Sequence, residues 1–169
     1  MRILKEIFHK ENLILDGKTI YRDSIRGIII KNNKLLMIYS PINKDYKFPG
    51  GGVDKGENYH QALIREVSEE AGAKVSEILE DFGMVIEYNK PLEEEFDLFK
   101  MSSYYYICTI SEGEFEKQNL DDYEEELGFI PKWVDIDEAI KNNKEVLESG
   151  INVPRWTDRD TFVLELLKK

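Results

Sequence analysis

The chain has 169 residues, 41% of them hydrophobic and 34% charged, a composition typical of a folded domain with a sizeable core. Its 34 acidic residues outnumber its 23 basic ones, and the formal net charge of −11 argues against a nucleic-acid polymer as partner. One cysteine, Cys108, excludes a disulfide framework. The longest apolar runs, 35–39 and 104–108, are too short to cross a bilayer, and residues 1–6 lack a signal-peptide core. We therefore expect one cytoplasmic domain over residues 1–169 that does not bind membranes.

Short apolar or β-branched runs predict strands in the first quarter of the chain at 3–8, 12–15, 19–21, 24–30 and 34–39. Asp16-Gly17 is a strong hairpin signal between the second and third runs, and Asn32-Asn33 marks a turn between the last two. Residues 1–22 are predicted to form a strand or hairpin extension. The sequence leaves open whether this extension is an appendage, a sheet edge or the contact of a homodimer.

A loop rich in glycine and proline, residues 48–56, precedes a helix predicted over 57–71, and Gly72 stands where a left-handed C-terminal cap is expected. Further strands are predicted at 81–88, 101–110 and 130–134, and further helices at 135–147 and from Thr157 or Asp158 onward. Strands outnumber helices and do not alternate regularly with them. The pattern therefore favours an α+β fold with a mixed β-sheet sandwiched between α-helices (α/β/α).

The helix predicted over 57–71 carries three carboxylates on one face. At about 100° per residue, Glu69 and Glu70 lie roughly 60° and 40° to either side of Glu66, beside an apolar stripe that contains Leu63 and Val67. Like charges at these spacings repel each other, so the arrangement favours a bound cation, and hard divalent cations prefer carboxylate oxygens. The alternative is that these glutamates simply face solvent, as on many surface helices.

These glutamates also belong to a fixed pattern that includes the preceding loop. Gly51 is followed after five residues by Glu57, and after seven more by Arg65-Glu66-Val67-Ser68-Glu69-Glu70-Ala71-Gly72-Ala73. The pattern resembles the box of the Nudix (MutT-like) hydrolases, Gly-x5-Glu-x7-Arg-Glu-U-x-Glu-Glu-x-Gly-U, where U is a bulky aliphatic residue. Every glycine and charged position matches, and only Ala73 is smaller than usual. The resemblance implies the Nudix fold, here with an N-terminal β-hairpin extension.

The resemblance also implies an activity and its cofactor. Nudix hydrolases cleave the pyrophosphate linkage of a small-molecule nucleoside-diphosphate derivative by attack of water at phosphorus, with Mg²⁺ or Mn²⁺. Carried over by position, Glu66, Glu69 and Glu70 are the side-chain metal ligands and the Gly50 carbonyl is a further one. Arg65 is expected to pair with Glu57 and so hold the loop against the helix.

The resemblance further implies a glutamate as general base, either Glu70 in the box or a residue of a later loop. The segment Tyr123–Glu126 is the best later candidate, with Glu125 as the expected residue, and a solvated acidic run is the alternative. The predicted cofactor-binding residues are Gly50, Gly51 and Arg26, with Arg26 expected to contact a phosphate of the substrate. For the last of these, a surface ion pair is the alternative.

The sequence leaves the substrate open between a nucleotide sugar or ADP-ribose and a normal or oxidised nucleoside triphosphate. It also leaves two other classes of function. One is a catalytically silent Nudix domain that acts as a nucleotide sensor or interaction module, although such domains usually lose box glutamates and this chain retains all of them. The other is an isomerase that alters a diphosphate ester without cleaving its phosphate chain.

Overall fold

The computed structural model describes residues 1–169 and contains eight strands and four helices. In chain order these are β1 (Ile3–Phe8), β2 (Thr19–Ile28), β3 (Ile30–Lys31), β4 (Lys34–Ser40), β5 (Asp45–Lys47), α1 (Tyr59–Ala71), β6 (Val75–Asn89), β7 (Leu98–Ile110), α2 (Asp122–Glu126), β8 (Ile130–Val134), α3 (Ile136–Ser149) and α4 (Arg155–Leu167). None of the helices is both long enough and apolar enough to cross a bilayer.

The strands form two four-stranded sheets. In the first the order is β1-β6-β7-β2, where β6 and β7 are antiparallel while β1 pairs with β6, and β2 with β7, in parallel. In the second, β4 pairs antiparallel with β3, β5 and β8. The combination of mixed pairing and irregularly placed helices confirms the predicted α+β class.

Strand β4 shows why the sheets need helices on both sides. Leu36 and Ile38 belong to the core that α1 covers, whereas Leu35 and Met37 belong to the core that α3 and α4 cover. Successive side chains of a strand point to opposite faces, so a strand that is apolar at every position must be buried on both. The resulting arrangement is the α/β/α sandwich that the sequence predicted.

Helix α1 begins and ends at residues with the expected capping chemistry. The Asn58 side chain accepts from the Gln61 backbone N–H at 2.9 Å, and the Gln61 side chain accepts from the Asn58 backbone N–H at 3.0 Å. This capping box satisfies two of the N–H groups that a helix start leaves free. At the other end, Gly72 adopts φ 67°, so the predicted C-terminal cap is confirmed.

The predicted N-terminal hairpin is wrong. The chain turns at Asp16-Gly17, but residues 12–15 form no strand, and β2 instead pairs in parallel with β7 from Thr19–Leu98 to Ile28–Ile107. A three-residue arm offers few hydrogen bonds, whereas β7 offers a ladder along the whole of β2. Strand β1 pairs with β6 and forms the edge of the sheet, one of the three placements that the sequence left open.

The apolar hairpin around Asn32-Asn33 is correct, and both asparagines adopt positive φ, as the tight turn requires. Other element boundaries differ from the prediction. Strand β5 lies where no strand was predicted, and β6 and β7 start earlier than expected. Helix α4 starts at Arg155, and α2 replaces part of the loop expected at 123–126. With five residues, α2 is too short to show helical periodicity in sequence.

Candidate active site

Arg65 joins the glycine-rich loop to the acidic face of α1. Its Nε and Nη2 donate to the two carboxylate oxygens of Glu57 at 2.9 and 2.8 Å, and Nη2 also donates to the Gly52 carbonyl at 3.0 Å. Nη1 donates to Glu66 at 2.8 Å and to Glu69 at 3.0 Å. Hydrogen bonds from Arg65 hold the pKa of Glu57 below its ordinary value. A planar guanidinium can make all these contacts at once, and a lysine cannot.

Glu70 is buried at the junction of α1 and the Pro49–Gly50 turn. The Gly50 N–H donates to its Oε2 at 2.9 Å, and the Lys47 ammonium pairs with Oε1. Lys47 is itself buried, with its Nζ 4.7 Å from the centre of the Phe129 ring. Burial raises the pKa of Glu70 to about 7, and the nearby negative charge of Glu124 adds to the rise, although Lys47 opposes it.

No side chain fits at Gly50, and a side chain at Gly51 would displace the Glu66 carboxylate. Gly50 has φ 143°, and a Cβ there would collide with the Ile25 carbonyl; a Cβ on Gly51 would collide with the Glu66 carboxylate. The Gly50 carbonyl accepts a hydrogen bond from Arg26. Arg26 is therefore buried against the turn, and the surface ion pair considered for it is wrong. Burial against this turn raises the pKa of Glu66.

In this structure no three His, Cys, Asp or Glu side chains are arranged so as to hold a metal ion. Arg65 contacts Glu66 and Glu69, and Lys47 contacts Glu70. The donor chemistry nevertheless fits a hard divalent cation, because the turn gathers carboxylate oxygens and one backbone carbonyl and no softer ligand. Lys47 and the two arginines now supply the positive charge that such a cluster of carboxylates requires.

In the later acidic segment the buried glutamate is Glu124 and not Glu125. Glu125 is exposed, whereas Glu124 is buried and its charge acts on Glu70. The Glu124 carboxylate accepts from the Asp121 backbone N–H at 2.9 Å and from the Tyr123 hydroxyl at 3.0 Å. The short helix α2 therefore buries one glutamate of the segment. Three consecutive glutamates in the sequence do not indicate which of them is buried.

A cavity of about 460 Å³ adjoins the Gly50–Gly52 turn. Four arginines line it: Arg22, Arg26, Arg155 and Arg159. Three aromatic side chains line it as well: Phe99, Tyr123 and Trp156. Arg26 lines the cavity and also donates to the Gly50 carbonyl, and Arg22 lines the cavity and lies beside Gly52. These two arginines therefore place the cavity next to the box. Guanidinium groups bind phosphate, and aromatic faces stack on bases, so the lining suits a nucleotide.

Arg159 lies in a buried polar network behind this cavity. Its Nη1 donates to Glu87 at 2.9 Å and its Nε to Asp160 at 2.9 Å, while the Tyr105 hydroxyl donates to Asp160 at 2.6 Å. His9, at the end of β1, contacts the other oxygen of Glu87 at 3.0 Å. These contacts fix the Arg159 guanidinium in the wall of the cavity.

Sequence reasoning missed most of the cavity lining. Among its arginines only Arg26 was singled out. Arg22 lies on the same strand, β2, four residues before Arg26, whereas α4 brings Arg155 and Arg159 from a distant part of the chain. Two signals were available. Arg22 and Arg26 are four residues apart in a strand, and Arg155 and Arg159 are four residues apart in a helix, so each pair shares one face. Glu87 and His9 gave no such signal, since each is an isolated polar residue in a strand pattern.

A family model for the NUDIX domain matches residues 21–155. The chain belongs to this family, which confirms the resemblance carried by the box.

Among curated relatives, an RNA pyrophosphohydrolase of Nitratiruptor sp. is 32% identical over 77 residues, covering 42% of this chain and 50% of the relative. An 8-oxo-dGTP diphosphatase of Buchnera aphidicola is 30% identical over 122 residues, covering 70% of this chain and 80% of the relative. The chain thus spans about half the length of the first of these relatives. A NUDIX hydrolase structure from Nitrosomonas europaea aligns with TM-score 0.56 at 18% identity, covering 80% of this chain and 94% of that one, and supports the fold.

Proposed function

We propose that this chain hydrolyses the diphosphate linkage of a nucleoside diphosphate joined to another moiety, by attack of water at phosphorus. The observation that carries the proposal is the linkage of Glu57, Glu66 and Glu69 through one guanidinium, directly beside an arginine-lined cavity. The first feature is the ordered acidic site that the box pattern implies. The second is a binding site for the anionic ligand on which such a site would act.

We propose Glu66, Glu69, Glu70 and the Gly50 carbonyl as the groups that would hold Mg²⁺ or Mn²⁺. A divalent cation at such a site offsets negative charge on the phosphates and makes bound water more acidic. Arg65 keeps the carboxylates in register through its bonds to Glu57 and Gly52, and so acts as a positioning residue.

The chain's own residues then have separable tasks. Arg26 binds phosphate oxygens of the ligand, and the aromatic walls exclude water from one side of it. Glu70 is the better placed proton acceptor, because it is buried at the turn whereas Glu125 is exposed. Glu124, which shares the buried environment, is the residue of the later segment that can assist it.

The substrate candidates remain those that the sequence left open. Two relatives are named an RNA pyrophosphohydrolase and an 8-oxo-dGTP diphosphatase. Their names support a panel that contains nucleoside triphosphates, oxidised nucleoside triphosphates and an RNA oligonucleotide with a 5′-triphosphate. ADP-ribose, nucleotide sugars and dinucleoside polyphosphates complete the panel.

The test is turnover of this panel with Mg²⁺, with Mn²⁺ and with chelator, the products being separated by chromatography. We expect metal-dependent cleavage of the phosphate chain in one class of compound. Binding of nucleotides without any turnover would instead support the silent sensor module, and an altered substrate with an intact phosphate chain would support an isomerase.

Glu69→Gln tests the acidic site itself. Glu69 is a third exposed and its charge repels the neighbouring glutamates, so we expect folding stability to change by only about 1 kcal/mol or less. The turnover number should fall by about a hundredfold or more, because a ligand charge is lost. Glu148→Gln, an exposed glutamate on α3, is the matched control and should keep wild-type turnover. Unchanged turnover in Glu69→Gln would contradict the proposed metal ligands.

A further inference from the structure

The arginines of this chain are concentrated at one place. The sequence contains six arginines and 17 lysines, and four of the six arginines but none of the lysines line the cavity beside the box. A fifth arginine, Arg65, orders the box itself. Because a guanidinium presents a planar fork that matches phosphate and carboxylate oxygens, this bias indicates a site for oxyanions in a chain that is otherwise strongly acidic.

Three of the four cavity arginines have no carboxylate partner. Arg22 and Arg155 are exposed at the cavity and form no ion pair within the chain. Arg26 is buried, donates to the Gly50 carbonyl, and leaves its Nε without any hydrogen-bond partner. A buried charged donor without an acceptor is costly, so the cavity is built to receive acceptors from a ligand.

The fourth arginine points to the same ligand chemistry. Arg159 is buried and held by Glu87, Asp160 and Tyr105, yet its Nη2 has no hydrogen-bond partner. Its charge is balanced by its two carboxylate neighbours, so it can donate a hydrogen bond but adds little positive charge. The positive charge available to a ligand therefore comes from Arg22, Arg26 and Arg155.

Arg22, Arg26 and Arg155 are more positive groups than the two phosphates of the cleaved linkage require. Arg26 is the cavity arginine that donates to the Gly50 carbonyl, at the part of the turn where the diphosphate would be cleaved, whereas Arg22 lies beside Gly52. Arg155 is brought to the cavity by α4, which begins where the family match ends. Neither Arg155 nor Arg22 donates a hydrogen bond to the turn, so both guanidinium groups can bind a part of the ligand other than the phosphates held at Gly50. A neutral sugar at that position would leave both guanidinium groups without a charged partner.

We propose that the substrate carries an additional oxyanion, beyond the two phosphates of the cleaved linkage, and that Arg22 and Arg155 recognise it. The inference rests on the proposed hydrolysis and narrows its substrate class. The additional oxyanion can be a third phosphate or an acidic group on a sugar. A nucleotide that ends in a neutral sugar has neither.

The experiment compares kcat/KM within two matched sets, so that base preference cancels. The uridine set is UTP, UDP-glucuronate and UDP-glucose; the adenosine set is ATP, ADP-ribose 1″-phosphate and ADP-ribose. We expect the wild-type protein to favour at least one anionic member over the neutral one by about tenfold or more in the set it accepts. Preference for the triphosphate alone identifies a third phosphate, and preference for the acidic sugar alone identifies that source.

The double variant Arg22→Gln/Arg155→Gln tests the assignment, and both positions are exposed enough to leave the core unchanged. The preference should fall towards unity in this variant and persist in Arg2→Gln, an exposed arginine outside the cavity. A wild-type ratio near unity, or a preference that survives the double variant, overturns the proposal.

If no compound is hydrolysed, the proposed function fails, and equilibrium binding of the same compounds decides this inference separately. Tighter binding of the anionic members that is lost in the double variant supports it. Equal affinity for anionic and neutral members overturns it.

Discussion

At the scale of single residues, Arg65 and Arg159 each neutralise neighbouring carboxylates that would otherwise repel one another. Each guanidinium is held by at least two carboxylates, Arg65 by the box glutamates and Arg159 by Glu87 and Asp160. Removal of one partner from a buried pair leaves the other partner's charge uncompensated, which costs more than the pair itself contributes. The buried pair at Arg159 is therefore where stability should respond most strongly to pH and substitution.

Glu87→Gln tests this response. Burial alone would raise the pKa of Glu87, but the hydrogen bond from His9 and the charge of Arg159 lower it below its ordinary value. A carboxylate whose folded pKa is lowered contributes stability above its ordinary pKa, and that contribution is lost as the pH falls through the folded pKa. We expect Glu87→Gln to lower the free energy of unfolding by about 3 kcal/mol near neutral pH.

The deficit should shrink as the pH falls from roughly 5 to 3, measured by urea unfolding at each pH. Glu112→Gln removes the partner of Lys31 at an exposed site and should show little deficit at any pH. A deficit for Glu87→Gln that stays constant with pH would show that the lowered pKa contributes nothing to stability.

At the scale of elements, helix α1 carries the acidic face because both of its ends are fixed. The Asn58 capping box sets where it starts, and Gly72 stops it by adopting a left-handed conformation. Gly72 also contacts another segment: its carbonyl accepts from the Glu116 N–H at 2.7 Å. The end of the helix is thus tied to the loop that follows β7, and the cap has a packing role in addition to its conformational one.

Two glycine caps allow these roles to be separated. Gly72 and Gly150 have almost the same φ, 67° and 63°, but a Cβ at Gly72 would collide with the Glu116 carbonyl, whereas nothing lies within 4 Å of one at Gly150. We expect Gly150→Ala to cost about 1 kcal/mol, for conformation alone. Gly72→Ala should cost about 2–4 kcal/mol, because the collision adds to it. Equal losses in urea unfolding would contradict a packing role for Gly72.

At the scale of the whole molecule, the layers are joined by buried polar contacts as well as by apolar cores. Asn143 of α3 is fully buried, and its side chain accepts from the Tyr46 N–H at 2.8 Å and donates to the Tyr46 carbonyl at 2.9 Å. It thereby provides hydrogen-bond partners for the free backbone groups at the outer edge of β5, the strand that leads into the box turn. The site is positioned by this docking of α3 onto the second sheet.

Asn143→Ala should lower the free energy of unfolding by about 2–4 kcal/mol, because two buried backbone groups of Tyr46 lose their partners. The neighbouring Asn142 donates to the Lys44 carbonyl at an exposed site, so Asn142→Ala should cost less than about 1 kcal/mol. Denaturant unfolding of both variants measures the difference. Similar small losses would mean that water replaces the Asn143 side chain at the β5 edge.

The accuracy of the sequence predictions follows the range of the interactions involved. Helix α1, its Gly72 cap and the Asn32-Asn33 turn depend on residues a few positions apart, and they were predicted correctly. The hairpin at Asp16-Gly17 failed because a distant strand, β7, offers β2 a longer hydrogen-bonded ladder than the local arm does. The short helix α2 was not predicted for a different reason: its five residues are too few to show helical periodicity.

The sequence by itself determined the family and the α+β class, because the box spacing and the apolar alternation are local patterns. It also indicated that Glu66, Glu69 and Glu70 share one helix face, since helical geometry sets that relation within two turns. Only the tertiary structure decided that Lys47 meets Glu70, that Glu124 turns inward in place of Glu125, and that four arginines meet in one cavity. These groups come from segments far apart in the chain, and strand pairing and helix packing alone bring them together.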